Sequence, residues 1–223
     1  MALVLGSSFA PEMRRQLAAL SLRPGLAVFS GHLHSSRLSH YFLAVPLLRG
    51  ETALFLDAAN CFDPYRIVVL ARKGRRFPLE VLSLIRVSRA FTCFQMAELI
   101  ERTAMAARSY RARCIVLTGF PDIFDDEEIS AAEAKSVFTR ALSVLRGWRR
   151  QRLTALAFSD LVPQPTPLRA WLARRLAREA EAVYRFEETA TGLALRPAKS
   201  RSLDFPVARQ RAGFARDEAA VGR

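Results

Sequence analysis

The chain has 223 residues, 51% of them apolar, enough for one domain with a substantial core. Its apolar residues come in short blocks, and none approaches the roughly 20 residues that a membrane-spanning helix requires. Three scattered cysteines, Cys61, Cys93 and Cys114, form no CxxC pair and speak against a disulfide framework or a zinc cluster.

The opening "MALVLGSSFAPEMRR" lacks a charged stretch ahead of a sustained apolar run, so the expected location is the cytoplasm, with no membrane partner. A net charge of +13 invites a polyanion, because neutralising phosphates releases counterions. Arginine supplies nearly all of it, the only lysines being Lys73, Lys135 and Lys199. Arginine and alanine enrichment of this kind also follows from base composition, so charge alone does not choose between binding and bias.

In chain order, residues 1–24 are expected to form a helical lead-in. "LAVFSG" (26–31) and "TALFLDAAN" (52–60) end in turn residues and read as buried strands. Between them "SRLSHYFLAVPLLRG" is long enough for a helix, with Pro46 limiting it and Gly50 closing it. A third strand falls within 81–91, followed by a helix over 94–110 with apolar positions at three- and four-residue spacing. "RCIVLTGF" (113–120) is a fourth strand. Ser130 and Glu133 form a capping box for an amphipathic helix whose inner face carries Val137, Phe138, Ala141, Leu142, Leu145 and Trp148. "LTALAFSD" (153–160) is a fifth strand, a helix from 166 runs into a sixth, and "TGLALRP" ends the core. The alternation predicts an α/β domain over 25–198: three layers, a mostly parallel twisted sheet with helices on both faces, and a C-terminal antiparallel hairpin. Residues 199–223 read as a basic, flexible tail.

Several of these segments, in this order, resemble the RecA/RadA family of recombination ATPases. "SLRPGLAVFSG" is similar to the entry of its phosphate loop, "ETALFLDAANCFDPYRI" to its second core strand, and "IRVSRAFTCFQM" to its ARAF…HQ segment, with Arg89, Ala90, Phe91 and Gln95 in place. "RCIVLTGFPDIF" stands where the family has its Walker B strand, and "ALAFSD" with "AVYRFEETATGLALRP" resembles the closing strand and hairpin. The likeness covers roughly residues 20–200 and implies a RecA-like core built to hold ATP and Mg²⁺.

The groups that do the chemistry are missing. A phosphate loop needs G-x-x-x-x-G-K-[ST], in which glycines admit phosphate to backbone N–H groups, lysine reaches the terminal phosphates and the hydroxyl holds Mg²⁺. Counted from Gly31, those last places hold Ser36, Arg37 and Leu38; Ser39 would serve only with a shift of register. The position of the family's catalytic glutamate is Ala59, and its Walker B aspartate falls at Thr118 or Gly119. Loss of lysine, metal ligand and water-orienting carboxylate together removes most of the electrostatic stabilisation of phosphoryl transfer.

His32, His34 and His40 crowd the Gly31 turn. Three readings stand there: a metal site, an anion held by Ser35, His34 and Arg37 at the helix N-terminus, or a hydrogen-bonded turn. Asp122, in the acidic run Asp122–Glu128, is a candidate displaced metal ligand or simply part of a solvated loop. Arg72, Lys73, Arg75 and Arg76, and Arg146, Arg149, Arg150 and Arg152, are nucleic-acid candidates, with Arg174, Arg175 and Arg178 a third cluster; basic residues ending helices also complement the helix dipole. The expected function is that of an accessory protein or paralogue in DNA repair or recombination with an impaired nucleotide site. Its expected partners are a recombinase, a repair polymerase or DNA, with homo- or hetero-oligomers through the core. A working ATPase routed through Arg37, Ser39 and Asp122, and a scaffold without nucleic acid, are the alternatives. Enzymatic activity and cofactor are left open; ATP with Mg²⁺ is what the resemblance implies and the missing groups oppose.

Overall fold

The computed structural model describes residues 23–198 apart from 161, 163 and 191. Most of the expected helical lead-in and all of the basic tail lie outside the described residues. β1 (Gly25–Ser30), β2 (Ala53–Asp57), β3 (Ile85–Arg89), β4 (Cys114–Thr118), β5 (Thr154–Phe158), β6 (Ala182–Thr189) and β7 (Gly192–Pro197) form one sheet in the order β3-β2-β4-β5-β1-β6-β7. Every pairing is parallel except β6 with β7, the antiparallel hairpin. The helices are α1 (Ser35–Leu48), α2 (Pro64–Lys73), α3 (Pro78–Ser83), α4 (Cys93–Ser109), α5 (Ala131–Arg150) and α6 (Pro167–Glu179).

The sequence forces this layering. β2, β4 and β5 are buried at every position, which demands apolar cover on both faces of the sheet. On one face Leu54, Leu56, Ile115 and Leu117 pack with Met96 and Ile100 of α4, Phe138 and Trp148 of α5, and Leu172 of α6. On the other, Phe29, Phe55, Val116 and Phe158 pack with Phe42 and Leu47 of α1, Ile67 of α2 and Val81 of α3. The expected inner face of α5 holds, Trp148 being fully buried, and the Ser130 hydroxyl caps its start by accepting from the Glu133 N–H at 3.2 Å.

Local signals end the elements as expected. Pro46 sits in the last turn of α1, where its carbonyl accepts from the N–H groups of Arg49 and Glu51, and Gly50 (φ +81°) turns the chain out. The segment 81–91 is part helix: α3 occupies its first residues and β3 begins only at Ile85. Pro78 at the first position of α3, its N–H not needed there, lets the short helix start where apolar alternation alone would extend the strand.

Candidate functional site

Open α/β sheets take ligands at the carboxyl ends of their strands. In this chain that rim gathers the ends of β1, β2, β4 and β5, and with them the three positions that the sequence resemblance singles out. Ser36 in the first turn of α1 accepts, through its hydroxyl, a hydrogen bond from the Gly119 N–H at 3.2 Å. Gly119, with φ +64°, lies so close to the β2 exit that a Cβ there would stand 2.8 Å from the Ala59 nitrogen. Thr118 donates its hydroxyl to Asp57 at 2.7 Å. Residues 36, 59 and 118–119 are thus neighbours in space although 83 positions separate Ser36 from Gly119.

The turn between β1 and α1 is short, four residues from Gly31 to His34, and is held by its own polar groups. The Ser35 hydroxyl donates to the His32 carbonyl (2.8 Å) and accepts from the His32 N–H (3.2 Å), while His32 Nδ1 accepts from the His34 N–H (3.1 Å). Gly31 has a structural reason of its own: at φ +100° it backs onto β6, and a Cβ would meet the Phe186 carbonyl oxygen at 2.8 Å.

An internal carboxylate occupies the start of α1. Asp160 follows β5, which is the neighbour of β1, and its Oδ1 accepts from the Ser36 N–H at 2.7 Å. Helix N-termini attract anions through unpaired N–H groups and the helix dipole, and here the chain supplies the anion itself. Asp160 is in turn fixed by a second carboxylate. Its N–H donates to Asp122 Oδ2 (2.9 Å), Ser159 donates its hydroxyl to Asp122 Oδ1 (2.6 Å), and Arg169 of α6 reaches both Asp122 Oδ1 (3.0 Å) and the Asp160 carbonyl (2.9 Å). Burial pushes the Asp122 carboxyl above the usual carboxylate range, opposed by Arg169 and the two hydrogen bonds. The residues around this network line a small, narrow cleft between the Gly31 turn and α6.

The other candidates are dispersed. Arg37 is exposed, Leu38 packs against the α1 core, and the Ser39 hydroxyl is buried without a hydrogen-bond partner among the described residues. His40 is fully buried: Nε2 accepts from the Asp63 N–H (2.9 Å), which leaves the proton on Nδ1 to donate to the Arg37 carbonyl (3.0 Å). Burial holds its pKa below the usual imidazole value. His32 lies against Glu188 of β6 at 4.0 Å. No group of three or more metal-ligating side chains comes together among the described residues.

Asp57 organises the exit of β2. Its buried carboxylate accepts from the N–H groups of Cys61 and Phe62 at 3.0 Å each and from Thr118, and it faces Arg89 Nε at 3.8 Å. The Cys61 thiol beside it is pushed up to about 12, by burial first and then by the charge of Asp57, so it is not a thiolate nucleophile at neutral pH.

The basic clusters sit elsewhere. Arg72 and Lys73 end α2 and Arg75 and Arg76 lie in the turn to α3, where Arg76 meets the Leu48 carbonyl ahead of β2; Arg146 to Arg150 end α5, with Arg152 just before β5, and Arg174 to Arg178 occupy the second half of α6, just before β6. All three therefore border the amino ends of the strands, opposite the Gly31 turn. Some of their charge is spent internally: Arg76 donates to the Leu48 carbonyl at 2.8 Å, Arg146 faces Glu179 and Arg149 faces Glu181 at 3.6 Å each, and Arg175 pairs with Glu179 at 3.2 Å.

Asp160, Arg169 and the hub role of Asp57 carry this site, and local motif reading passes over all three. The one signal for Asp160 is its place, directly after a strand that a buried parallel sheet sets beside β1. No known family model matches the chain.

Proposed function

We propose that this chain is a RecA-like paralogue or accessory protein of DNA repair or recombination in which the nucleotide site is silent, and that it works by binding a partner and DNA. One observation carries the silent-site reading: the Asp160 carboxylate on the Ser36 N–H. A phosphate approaching the start of α1 must displace a carboxylate that already bonds there and would be repelled by it at close range. Ala59 and Gly119, next to that spot, bring neither a water-orienting carboxylate nor a metal ligand. Arg37 is the one cation close in sequence, and its planar fork replaces the point charge of a lysine.

Support for a nucleic-acid surface comes from the arginine-rich rim at the amino ends of the strands, where Arg72, Lys73, Arg75, Arg150 and Arg152 are exposed. Such a rim would track a phosphate backbone without reading sequence. The test has two arms. Titration with a fluorescent ATP analogue is expected to show no Mg²⁺-dependent binding; saturable binding that needs Mg²⁺ and is lost in Arg37→Ala refutes the silent site. Single-stranded DNA is expected to bind with an affinity that falls with salt at a log–log slope of about −0.9 to −0.7 per phosphate contact, and a flat response removes DNA from the function.

A further inference from the structure

Charge is sorted between the two ends of the sheet. The turns that leave β1 to β5 (31–34, 58–63, 90–92, 119–130 and 159–166) contain no lysine or arginine, and they carry acids from Asp63 through the Asp122–Glu128 run to Asp160. The turns that enter the strands do the opposite: Arg23 precedes β1, Arg49 precedes β2, Arg111 and Arg113 precede β4, and Arg152 precedes β5. Compositional bias enriches arginine along a whole chain and does not sort it by pole.

Three helix ends also keep arginine against the preference of the backbone. The chain leaves α1, α2, α4 and α5 by the same bend, in which an N–H beyond the helix donates to a carbonyl five residues back: Glu51 to Pro46, Arg76 to Ala71, Ala112 to Ala107 and Leu153 to Trp148, at 2.8–3.0 Å. The residue at the bend is left-handed, a place for glycine, which Gly50 fills after α1 at φ +81°. Arg75, Arg111 and Arg152 fill it after the other three at φ +53° to +56°; they are three of the four non-glycine residues with positive φ among the described residues. Strain kept at an exposed position, where glycine would suit the fold better, marks a side chain with work to do.

The sheet sets these side chains in line. Ile85, Ala53, Cys114, Thr154 and Gly25 are register partners from each strand to the next, so β3, β2, β4, β5 and β1 begin level. From Arg49 through Arg111, Arg113 and Arg152 to Arg23 the row crosses three strand gaps, about 14 Å at ~4.8 Å each, the rise of roughly four nucleotides of one strand. All five are exposed, and none makes an ion pair or side-chain hydrogen bond among the described residues. Of the acids in the strand-entering turns, Glu181 is held by the Leu26 N–H and faces Arg149, which leaves Glu51.

We propose that this row binds the phosphate backbone of a nucleic-acid double helix. A straight row on a rigid sheet fits a polyanion whose charges are already in order, whereas a single strand must be ordered on binding. Single strands are also held by stacking on aromatic rings. In these turns the exposed aromatic is Tyr110, and Arg86 covers its ring at 4.8 Å from the centroid; Phe77 stands apart at the start of α3. Arginine forks on phosphate fix position and carry no sequence information, so binding is indifferent to sequence.

This inference rests on the DNA-binding part of the reading above, and the nucleotide titration can fail without touching it. The test titrates a short labelled DNA duplex, followed by fluorescence anisotropy, with wild type, with Arg111→Gly/Arg113→Gln/Arg152→Gly and with Arg102→Gln/Lys135→Gln/Arg140→Gln, which removes the same charge from helix faces elsewhere. Wild type is expected to bind the duplex more tightly than either of its single strands, and equally for two unrelated sequences. The rim variant should bind at least tenfold more weakly, with a log–log salt slope less steep by about 2–3, ~0.9 for each lost contact. Its Tm should stay or rise, because glycine relieves two of the bends. The helix-face variant should bind like wild type. Equal loss in both variants, tighter binding of the single strand or discrimination between sequences overturns the proposal and leaves DNA binding standing, while no binding of either form removes both. Duplex RNA shares the same phosphate chemistry, and the duplex bound more tightly in a parallel titration is assigned as the ligand. Phosphatidylserine vesicles that bind wild type when the duplexes do not would assign the row to a lipid surface and overturn the proposal as well.

Discussion

Replacing Asp57 by Asn tests whether the rim is organised by a charged hub. The amide oxygen can keep the bonds from the Cys61 N–H and the Thr118 hydroxyl, but the new NH₂ group then faces the Phe62 N–H, donor against donor, where Oδ2 now accepts at 3.0 Å. Losing one bond to a charged acceptor costs about 1.5–3 kcal/mol, and turning the other two from charged to neutral removes a further ~0.5–1 kcal/mol. Arg89, half exposed, adds little when its partner is neutralised. The expected loss is about 2–4 kcal/mol, read as a fall in the urea midpoint at unchanged m or a Tm lower by roughly 4–16 °C for a chain of this size. Thr118→Val, which removes a single donor, should cost about 1–2 kcal/mol. A loss below about 1 kcal/mol for Asp57→Asn would show that water or rearrangement replaces the carboxylate, and the account of the hub would fall.

Asp160→Ala strips the internal anion from the start of α1; it is expected to lower stability by about 1–3 kcal/mol and to let inorganic phosphate raise Tm, an effect absent from wild type in the same scan. His40 has a folded pKa below its unfolded value of about 6.5, so the unfolded chain takes up the proton first. Its stabilisation is complete above that pH and is lost as pH falls toward the folded pKa, so the stability difference between wild type and His40→Ala should shrink below pH 6.5; a difference constant with pH contradicts the buried neutral imidazole. Gly119→Ala combines a left-handed backbone with a Cβ 2.8 Å from the Ala59 nitrogen and 3.0 Å from the Ala58 carbonyl carbon, and should cost more than about 2 kcal/mol by chemical denaturation.

The strands were legible because a sheet covered on both sides leaves uninterrupted apolar runs, "LAVFS", "ALFLD", "CIVLT" and "TALAF", that little else in a chain of this length produces. The capping box of α5 and the Pro46–Gly50 ending of α1 were legible for the same reason: each signal sits within a few residues of what it controls. α2 and α3 went unread although Asp63–Pro64 and Phe77–Pro78 mark their starts, Asp63 accepting from the N–H groups of Tyr65 and Arg66. The site was half legible. Motif positions 36, 59 and 118–119 could be aligned, but what fills the rim comes from far along the chain. Asp160 lies 124 residues from Ser36 and Arg169 lies 47 from Asp122, distances at which spacing carries no information. His40 shows the converse: set in a histidine-rich turn, it reads as a candidate ligand until Asp63, 23 residues on, claims its Nε2.

The place of β1 in the sheet has a consequence for how the chain is made. Its neighbours are β5 and β6, so Gly25 finds its partner at Thr154 and Ala27 finds its other at Ala182. A central apolar strand must therefore wait, unzipped, until well over a hundred further residues have been synthesised. Long-range parallel closure of this kind is slow and leaves sticky intermediates, so yield in cells should depend on chaperone supply more than on final stability.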